Sequence, residues 1–316
     1  MPLRPFVYHR PKSLSELLGL LAMVKDDFVL MGGGTEVLLQ IKEGLKKPQT
    51  VIGLGGIGEL SLIKEEEDGL FIGAGVKLSD VANAPTVNKH FPALAQAARK
   101  VASPQLRNMG TIGGNVCLDT RCHYFNQVLW AGGFDPCLKR KGERCYVVPA
   151  GKRCYALFCA DTPAALLLFD TEVRLISPRG ERKVPLNDLY RDDGMDHLSL
   201  RKGEVIVGFK LFYERGRRSG YVRFSPRKAI DFPLVGIALA VTGERGKGEF
   251  SVRIAATGLT SRPLRLSILE ELIKEDCGRD WEEGMERLAV VRHGGISPSY
   301  RRHIALVLTE RLLNGL

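Results

Sequence analysis

Six of the seven cysteines in this 316-residue chain fall within one stretch, CLDTRCHYFNQVLWAGGFDPCLKRKGERCYVVPAGKRCYALFC, from Cys117 to Cys159. Nothing else in the sequence constrains the fold so tightly. An excursion of this length without strong periodicity needs internal organisation: a cross-link, a metal or a small core of its own. Its apolar residues Tyr124, Phe125, Val128, Leu129, Trp130 and Phe134 are candidates for such a core. The opening MPLRPFVYHRPKSLSELL lacks the apolar stretch and small-residue cleavage site of a secretory leader. No apolar run reaches the roughly 18 to 20 residues of a membrane span. These features predict a cytoplasmic protein with no membrane association, in which thiols stay reduced and a disulfide framework is disfavoured.

The inner cysteines, Cys122, Cys137, Cys145 and Cys154, have 14, 7 and 8 residues between successive members. No C-x-x-C pair is present, so the usual zinc-ribbon spacing fails. His123 is a possible nitrogen ligand, but beside Cys122 it would strain to share a tetrahedral ion. Iron–sulfur clusters accept widely spaced cysteines because the cluster fills a larger volume. Spacing alone leaves an iron–sulfur cluster, a zinc staple and scattered thiols all open.

The flanking sequence reads as ordinary α+β protein, and 44% hydrophobic residues over this length predict about two domains. Ser13 and Glu16 have capping-box spacing ahead of a helix lined by Leu14, Leu17, Leu18 and Leu21. Phe28 to Met31 reads as a strand running into GGGTE, and QTVIGL and GLFIGAG as further strands. FPALAQAARKVAS reads as a helix and RNMGTIGGN as a glycine-punctuated loop. ADTPAALLLFDTEVRLIS predicts a helix and then a strand, and GEVIVGFKLF another strand. The basic run YERGRRSG marks a boundary, after which two strands and two or three helices complete a tail domain. The net charge of +10 is spread over several segments without an aromatic-plus-basic pattern, so nucleic acid is not expected as a partner.

GLGGIG, Gly53 to Gly58, satisfies the G-x-G-x-x-G spacing of dinucleotide sites. The residues after it form a short alternating segment, an acidic turn and a strand, whereas a dinucleotide fold requires a helix there. It is read as a turn. GGGTE and TIGGN are more informative as a pair, since each sets small residues and a threonine in a loop. Glycine lets the main chain approach a diphosphate closely and present successive amides to it.

VLMGGGTEVLLQIK, SPQLRNMGTIGGNVC, ADTPAALLLFDTEV and SPRKAIDFPLVGIALAV together resemble, in order, four blocks of the FAD-containing subunits of the xanthine dehydrogenase and carbon monoxide dehydrogenase family. The resemblance implies an α+β fold of the PCMH/VAO type. A two-subdomain FAD-binding domain would span 1–214, split near 55, with a C-terminal α+β domain over 215–316. By position, Gly32, Gly33, Gly34, Thr35 and Glu36 would hold the diphosphate and ribityl side of FAD. Thr111, Gly113, Gly114 and Asn115 would form the opposing loop, and Asp161 would contact the cofactor. Ile206 lies where the family packs an apolar side chain near the flavin ring, and Arg223 where many relatives carry lysine. Asp161 also has the position of a helix N-cap.

Cys117 and Asp161 stand 44 positions apart where simpler relatives have only a few residues, which defines an insertion at about 118–158. A cysteine-bearing insertion at this loop is similar to that of the 4-hydroxybenzoyl-CoA reductase branch of the family. That likeness implies a 4Fe–4S cluster on Cys122, Cys137, Cys145 and Cys154, with Cys117, Cys159 and the distant Cys277 as plain thiols. It also implies partners: a large molybdenum cofactor subunit and a small subunit with two 2Fe–2S clusters, in a heterotrimer that dimerises. A low-potential donor such as ferredoxin would supply electrons, and the large subunit would hold the substrate. Arg121, Lys139, Arg140, Lys141, Arg144, Lys152 and Arg153 make the insertion basic. They suggest either a rim that steers an acidic partner and eases reduction of an anionic cluster, or simply a solvated face.

Overall fold

The computed structural model of the chain describes residues 4–24, 27–126, 135–244, 247–275 and 281–316. Val128, Leu129, Trp130, Phe134 and Cys277 lie outside the described residues.

The first layer is a parallel sheet of β1 (Val7–His9), β2 (Phe28–Met31) and β3 (Thr50–Gly53), ordered β1-β3-β2. The helix Leu14–Met23 covers it and buries Leu17 and Leu21 in a cluster with Ile52. Ser13 caps this helix by accepting the Glu16 N–H at 3.2 Å. The expected capping box is displaced by one residue, because the Glu16 carboxylate accepts from Lys12 N–H at 2.7 Å. GLGGIG ends β3 and leads into a single 3-10 turn, Gly58–Ser61, so the dinucleotide reading is excluded. Gly53 is there for packing: a Cβ on it would lie 2.2 Å from the Tyr8 hydroxyl.

The second layer is a five-stranded antiparallel sheet of β4 (Ile63–Glu66), β5 (Gly69–Gly73), β6 (Glu172–Ser177), β7 (Gly180–Pro185) and β8 (Val205–Phe212). Its order is β4-β5-β8-β6-β7, so strands from either side of the cysteine stretch close one sheet. The alanine-rich helix Pro92–Lys100 and the helix Thr162–Leu166 pack into its core. The TIGGN segment, read from sequence as loop, is a short helix, Ile112–Val116, because Thr111 caps it through Gly114 N–H.

The third layer is an antiparallel sheet of β9 (Arg218–Phe224), β10 (Val235–Glu244), β11 (Lys247–Thr257) and β12 (Leu264–Arg265). Its sequence carries two alternating faces. Large residues Val235, Ile237, Leu239, Val241, Val252 and Ile254 face the C-terminal helices. Small residues Ala238, Ala240 and Ala255 join the core of the second layer. The period of two lets one sheet serve two cores, with the small-residue face allowing the close approach. Among the described residues no helix is long and apolar enough to cross a membrane.

Phe209 lies at the centre of this arrangement, fully buried on β8 between Val173 of β6 and Ile72 of β5. Truncation by Phe209→Ala is expected to cost about 3–5 kcal/mol, read as a lower midpoint in denaturant unfolding. A loss under about 1 kcal/mol would contradict this packing.

Candidate functional site

The two glycine loops meet at main-chain contact. A Cβ on Gly33 would sit 1.8 Å from the Met109 carbonyl oxygen, and one on Gly32 would sit 2.7 Å from Thr111 Oγ1. Gly34 has φ +75°, in the left-handed region that favours glycine. The three glycines therefore have a physical reason: no side chain fits between the GGGTE turn and the segment preceding TIGGN. Thr35 is exposed at this junction, and its hydroxyl lies 3.6 Å from where a Gly110 Cβ would stand.

The second loop is already engaged with its own subdomain. Ile112 N–H donates to Val76 O and Gly113 N–H to Ala74 O, both at 2.9 Å, and Gly114 N–H donates to Thr111 Oγ1 at 3.1 Å. Gly113 has no room for a side chain, since a Cβ would meet Ala74 O at 2.7 Å. Asn115 is buried, and its Oδ1 accepts from Thr162 N–H (3.1 Å) and Thr162 Oγ1 (2.7 Å). TIGGN is thus a rigid cap whose amides serve the fold, and the Thr111 hydroxyl retains its own hydrogen to donate.

Asp161 and Arg223, both singled out from sequence, form a buried ion pair, with Arg223 Nη1 3.1 Å from each carboxylate oxygen. Both side chains are 4% exposed. The Tyr221 hydroxyl donates to the same carboxylate at 2.8 Å. Asp161 stands at the N-cap position of the Thr162–Leu166 helix, as expected, but its side chain makes no capping hydrogen bond there because the carboxylate is taken by Arg223 and Tyr221. Burial pushes its carboxyl up, against the opposing pull of Arg223 and Tyr221. Ile206 is 5% exposed on β8 and belongs to the core of the second layer.

The cysteine insertion has a closed neck. Arg121 N–H donates to Leu157 O at 2.7 Å, and Leu157 N–H returns to Arg121 O at 2.8 Å. Beyond the neck, Phe158 bonds to Thr260 and Gly258 of the tail domain, and Gly194 N–H donates to Cys154 O. Cys137 to Arg144 form a tight loop in which Gly142 packs against the Pro136 carbonyl, leaving no space for a Cβ. The consequence is convergence. Cys122, Cys137, Cys145 and Cys154 are all buried and line one small recess, with Tyr124, Phe125, Leu138, Lys139 and Tyr146 completing the wall. Among the described residues, no three His, Cys, Asp or Glu side chains gather closely enough for a single metal ion. Burial pushes the Cys122 thiol up to about 12 and the Cys154 thiol up to about 11. Both thiols are therefore protonated at neutral pH, and thiolate ligation would release protons.

The two outer cysteines stand apart from this recess. Neither lines the recess; burial pushes the Cys159 thiol up to about 11 and the Cys117 thiol up to about 12, as it does for Cys122 and Cys154.

In the sequence the insertion's basic residues form one set, whereas the structure divides them. Lys141, Arg144 and Lys152 are exposed. Arg140 donates to Phe125 O at 2.6 Å, and Arg153 pairs with Asp192 at 2.7 Å. Lys139 turns inward with a side chain 6% exposed, pairs with Asp119 at 2.6 Å and lies 4.5 Å from the Phe125 ring centroid. Arg121 pairs with Glu36 at 2.7 Å, and Gln40 donates to both Glu36 (2.9 Å) and Asp119 (3.4 Å). Glu36 thus faces the insertion, and burial pushes its carboxyl up although Arg121 opposes this. Asp119, Gln40 and Tyr221 were not singled out from sequence. Their partners lie too far along the chain for local spacing to reveal them.

Residues 4–211 match the family described as the FAD binding domain in molybdopterin dehydrogenase. The chain belongs to that family and is an FAD-binding oxidoreductase subunit of the molybdenum hydroxylase type. It is 30% identical over 326 residues to the aldehyde oxidoreductase FAD-binding subunit of Escherichia coli (strain K12), covering 98% of this chain and 96% of the relative. It is 29% identical over 261 residues to the carbon monoxide dehydrogenase medium chain of Hydrogenophaga pseudoflava, covering 82% and 77%. Among solved structures, a carbon monoxide dehydrogenase from Hydrogenophaga pseudoflava superposes with TM-score 0.79 at 25% identity, covering 99% of this chain and 98% of that one. A zinc-stapled interaction module that binds no flavin, the alternative left by the cysteine spacing alone, is set aside by family membership.

Gly33→Ala is expected to separate the two glycine loops and abolish flavin retention, read as loss of flavin absorbance from the purified chain. Gly19→Ala, in an open helical position, should keep flavin and add about 0.5–1 kcal/mol of stability. Full flavin retention in Gly33→Ala would refute the loop contact. Asp161→Ala strands a buried guanidinium and is expected to cost about 3–5 kcal/mol in unfolding measurements. An unchanged unfolding midpoint would count against a buried pair.

Proposed function

We propose that this chain is an electron-transfer subunit that holds FAD between its two glycine loops and a 4Fe–4S cluster in the insertion. The observation that carries the reading is the convergence of Cys122, Cys137, Cys145 and Cys154 on one buried recess. Four buried thiols that line one recess are the ligand type and number that a four-iron cluster takes. The flavin and the cluster would supply the redox chemistry. The polypeptide contributes binding, orientation and exclusion of water.

On this reading Gly32, Gly33, Gly34 and Thr35 offer close backbone approach to the diphosphate, and the Thr111 hydroxyl donates from the opposite side. Gly113, Gly114 and Asn115 keep Thr111 rigid, and Glu36 anchors the first loop to the insertion through Arg121. Asp161 and Arg223 fix the third block against the tail domain, and Ile206 supplies apolar wall. Phe125, Tyr124 and Tyr146 shield the cysteine recess from solvent.

The partners that fit are a large molybdenum cofactor subunit and a small subunit with two 2Fe–2S clusters, in a heterotrimer that dimerises. The insertion favours reductive dehydroxylation of 4-hydroxybenzoyl-CoA to benzoyl-CoA, with ferredoxin or a similar low-potential donor. The flavin subunits matched among known proteins serve other substrates by their names, including nicotinate and carbon monoxide. Substrate choice rests with the large subunit, so another aromatic or heterocyclic substrate is compatible with the same flavin and cluster sites.

The test is iron, labile-sulfide and flavin analysis of the anaerobically purified chain, with EPR after reduction. Four iron and four sulfide per flavin are expected, from the composition of the cluster. Cys137→Ser should lose the four-iron signal and keep FAD, while Cys117→Ser should keep both. One zinc without sulfide would overturn the cluster reading, and unchanged iron in Cys137→Ser would show that the ligand set is wrong.

A further inference from the structure

Lys139 stands out among the cations of the insertion because its side chain is turned away from solvent. Its ammonium donates to Asp119 Oδ1 (2.6 Å), Thr120 Oγ1 (2.6 Å) and Thr120 O (3.1 Å), which uses all three of its hydrogens. It lines the same recess as Cys122, Cys137, Cys145 and Cys154. The side chain is 6% exposed, so water screens little of its field. The exposed Lys141, Arg144 and Lys152 have no such advantage.

Full pairing of the ammonium argues against a surface role. A lysine that merely improved solubility or steered a partner would leave its head group in water. Here three acceptors hold it at a fixed place on the wall of the recess, and a fixed charge in a weakly polarisable site exerts its largest effect. Thr120 is itself locked by a bond from its hydroxyl to Gly194 O. Asp119 is held in turn by Gln40, which also binds Glu36 at the edge of the first glycine loop.

We propose that Lys139 is the fixed cation that sets the reduction potential of the group held by Cys122, Cys137, Cys145 and Cys154, with Asp119 as its counter-charge. The proposal rests on reading that site as a four-iron cluster. A four-thiolate cluster is anionic, and accepting one electron from an external low-potential donor adds one negative charge with no bond made or broken. A neighbouring cation stabilises the reduced form more than the oxidised form and raises the potential; a neighbouring anion lowers it. Lys139 is a tuning residue, and no ligand role is assigned to it.

The experiment is an EPR-monitored redox titration of the anaerobically purified full chain and three variants, with iron, sulfide and flavin measured on each. Lys139→Met is expected to keep its iron and titrate at a more negative potential than the parent. Lys139→Arg, which keeps the charge, should remain closer to the parent than Lys139→Met does. Asp119→Asn should shift the potential in the opposite, positive direction, a sign reversal that general loosening of the insertion would not produce. If Lys139→Met loses its cluster, Asp119→Asn decides the matter by the sign of its shift. Iron present with an unchanged potential in Lys139→Met, or equal shifts in Lys139→Met and Lys139→Arg, overturns the role of Lys139 alone. A parent chain without iron and sulfide overturns the cluster reading and this inference with it.

Discussion

The buried contact between Asp161 and Arg223 is where the parts of this chain are joined. Asp161 opens the helix that follows the cysteine insertion, and Arg223 lies on the first strand of the tail sheet. The next residue, Thr162, binds Asn115 of the second glycine loop, and Tyr221 adds a second hydrogen-bonding partner to the carboxylate. A charge taken out of water is tolerable only when its partner and its remaining hydrogen bonds are in place. The pair therefore ties the glycine loop, the insertion's exit and the tail domain to a single geometry. Losing either charge leaves the other stranded, so the junction favours one arrangement over looser alternatives.

That junction makes a long insertion tolerable. The chain departs after the second glycine loop and returns at Asp161, and the Arg121–Leu157 bonds bring the two ends together. The entropic cost of closing a loop rises only slowly with its length, so a closed neck admits a long excursion without disturbing the sheet beneath. The excursion then leans on two neighbouring loops through Gly194, Asp193 and Ser261, each of which bonds to Cys154. Cys154 is thus fixed through its main chain before any ligand is considered. Cys137 is fixed by its own tight turn, in which Leu138 N–H bonds Arg144 O and Gly142 N–H bonds Cys137 O.

Much of this was legible in the sequence wherever the signal was local. The strand Phe28–Met31, the helix Pro92–Lys100 and the alternation in VGIALAV arise from periodicity and turn residues, because nearby side chains alone decide them. TIGGN was not legible as a helix, since two glycines argue against one until the Thr111 cap and the Val76 and Ala74 carbonyls are taken into account. The glycine loops could be paired by motif, but the reason for their glycines could not be read. That reason is the carbonyl of Met109, far along the chain from Gly33. The polar pairs were the least visible. Arg121 and Glu36 are 85 positions apart, and Gln40 and Asp119 are 79 apart, so no spacing rule connects them.

Those invisible pairs connect the two candidate cofactor sites. Glu36 ends the first glycine loop, Gln40 lies one turn further along the same short helix, and together they contact Arg121 and Asp119 of the insertion. Asp119 passes the connection to Lys139, on the wall of the cysteine recess. Hydrogen-bonded charges that are only partly exposed respond to one another more than fully solvated ones do, because water masks a change at either end less completely. A change of charge in the recess would be felt along Lys139, Asp119, Gln40 and Glu36, and a change beside the first glycine loop would be felt in reverse. An insertion attached only by its neck would lack this coupling. The polar contacts of Arg121 and Asp119 with the helix after the glycine loop make it electrostatically part of the flavin domain.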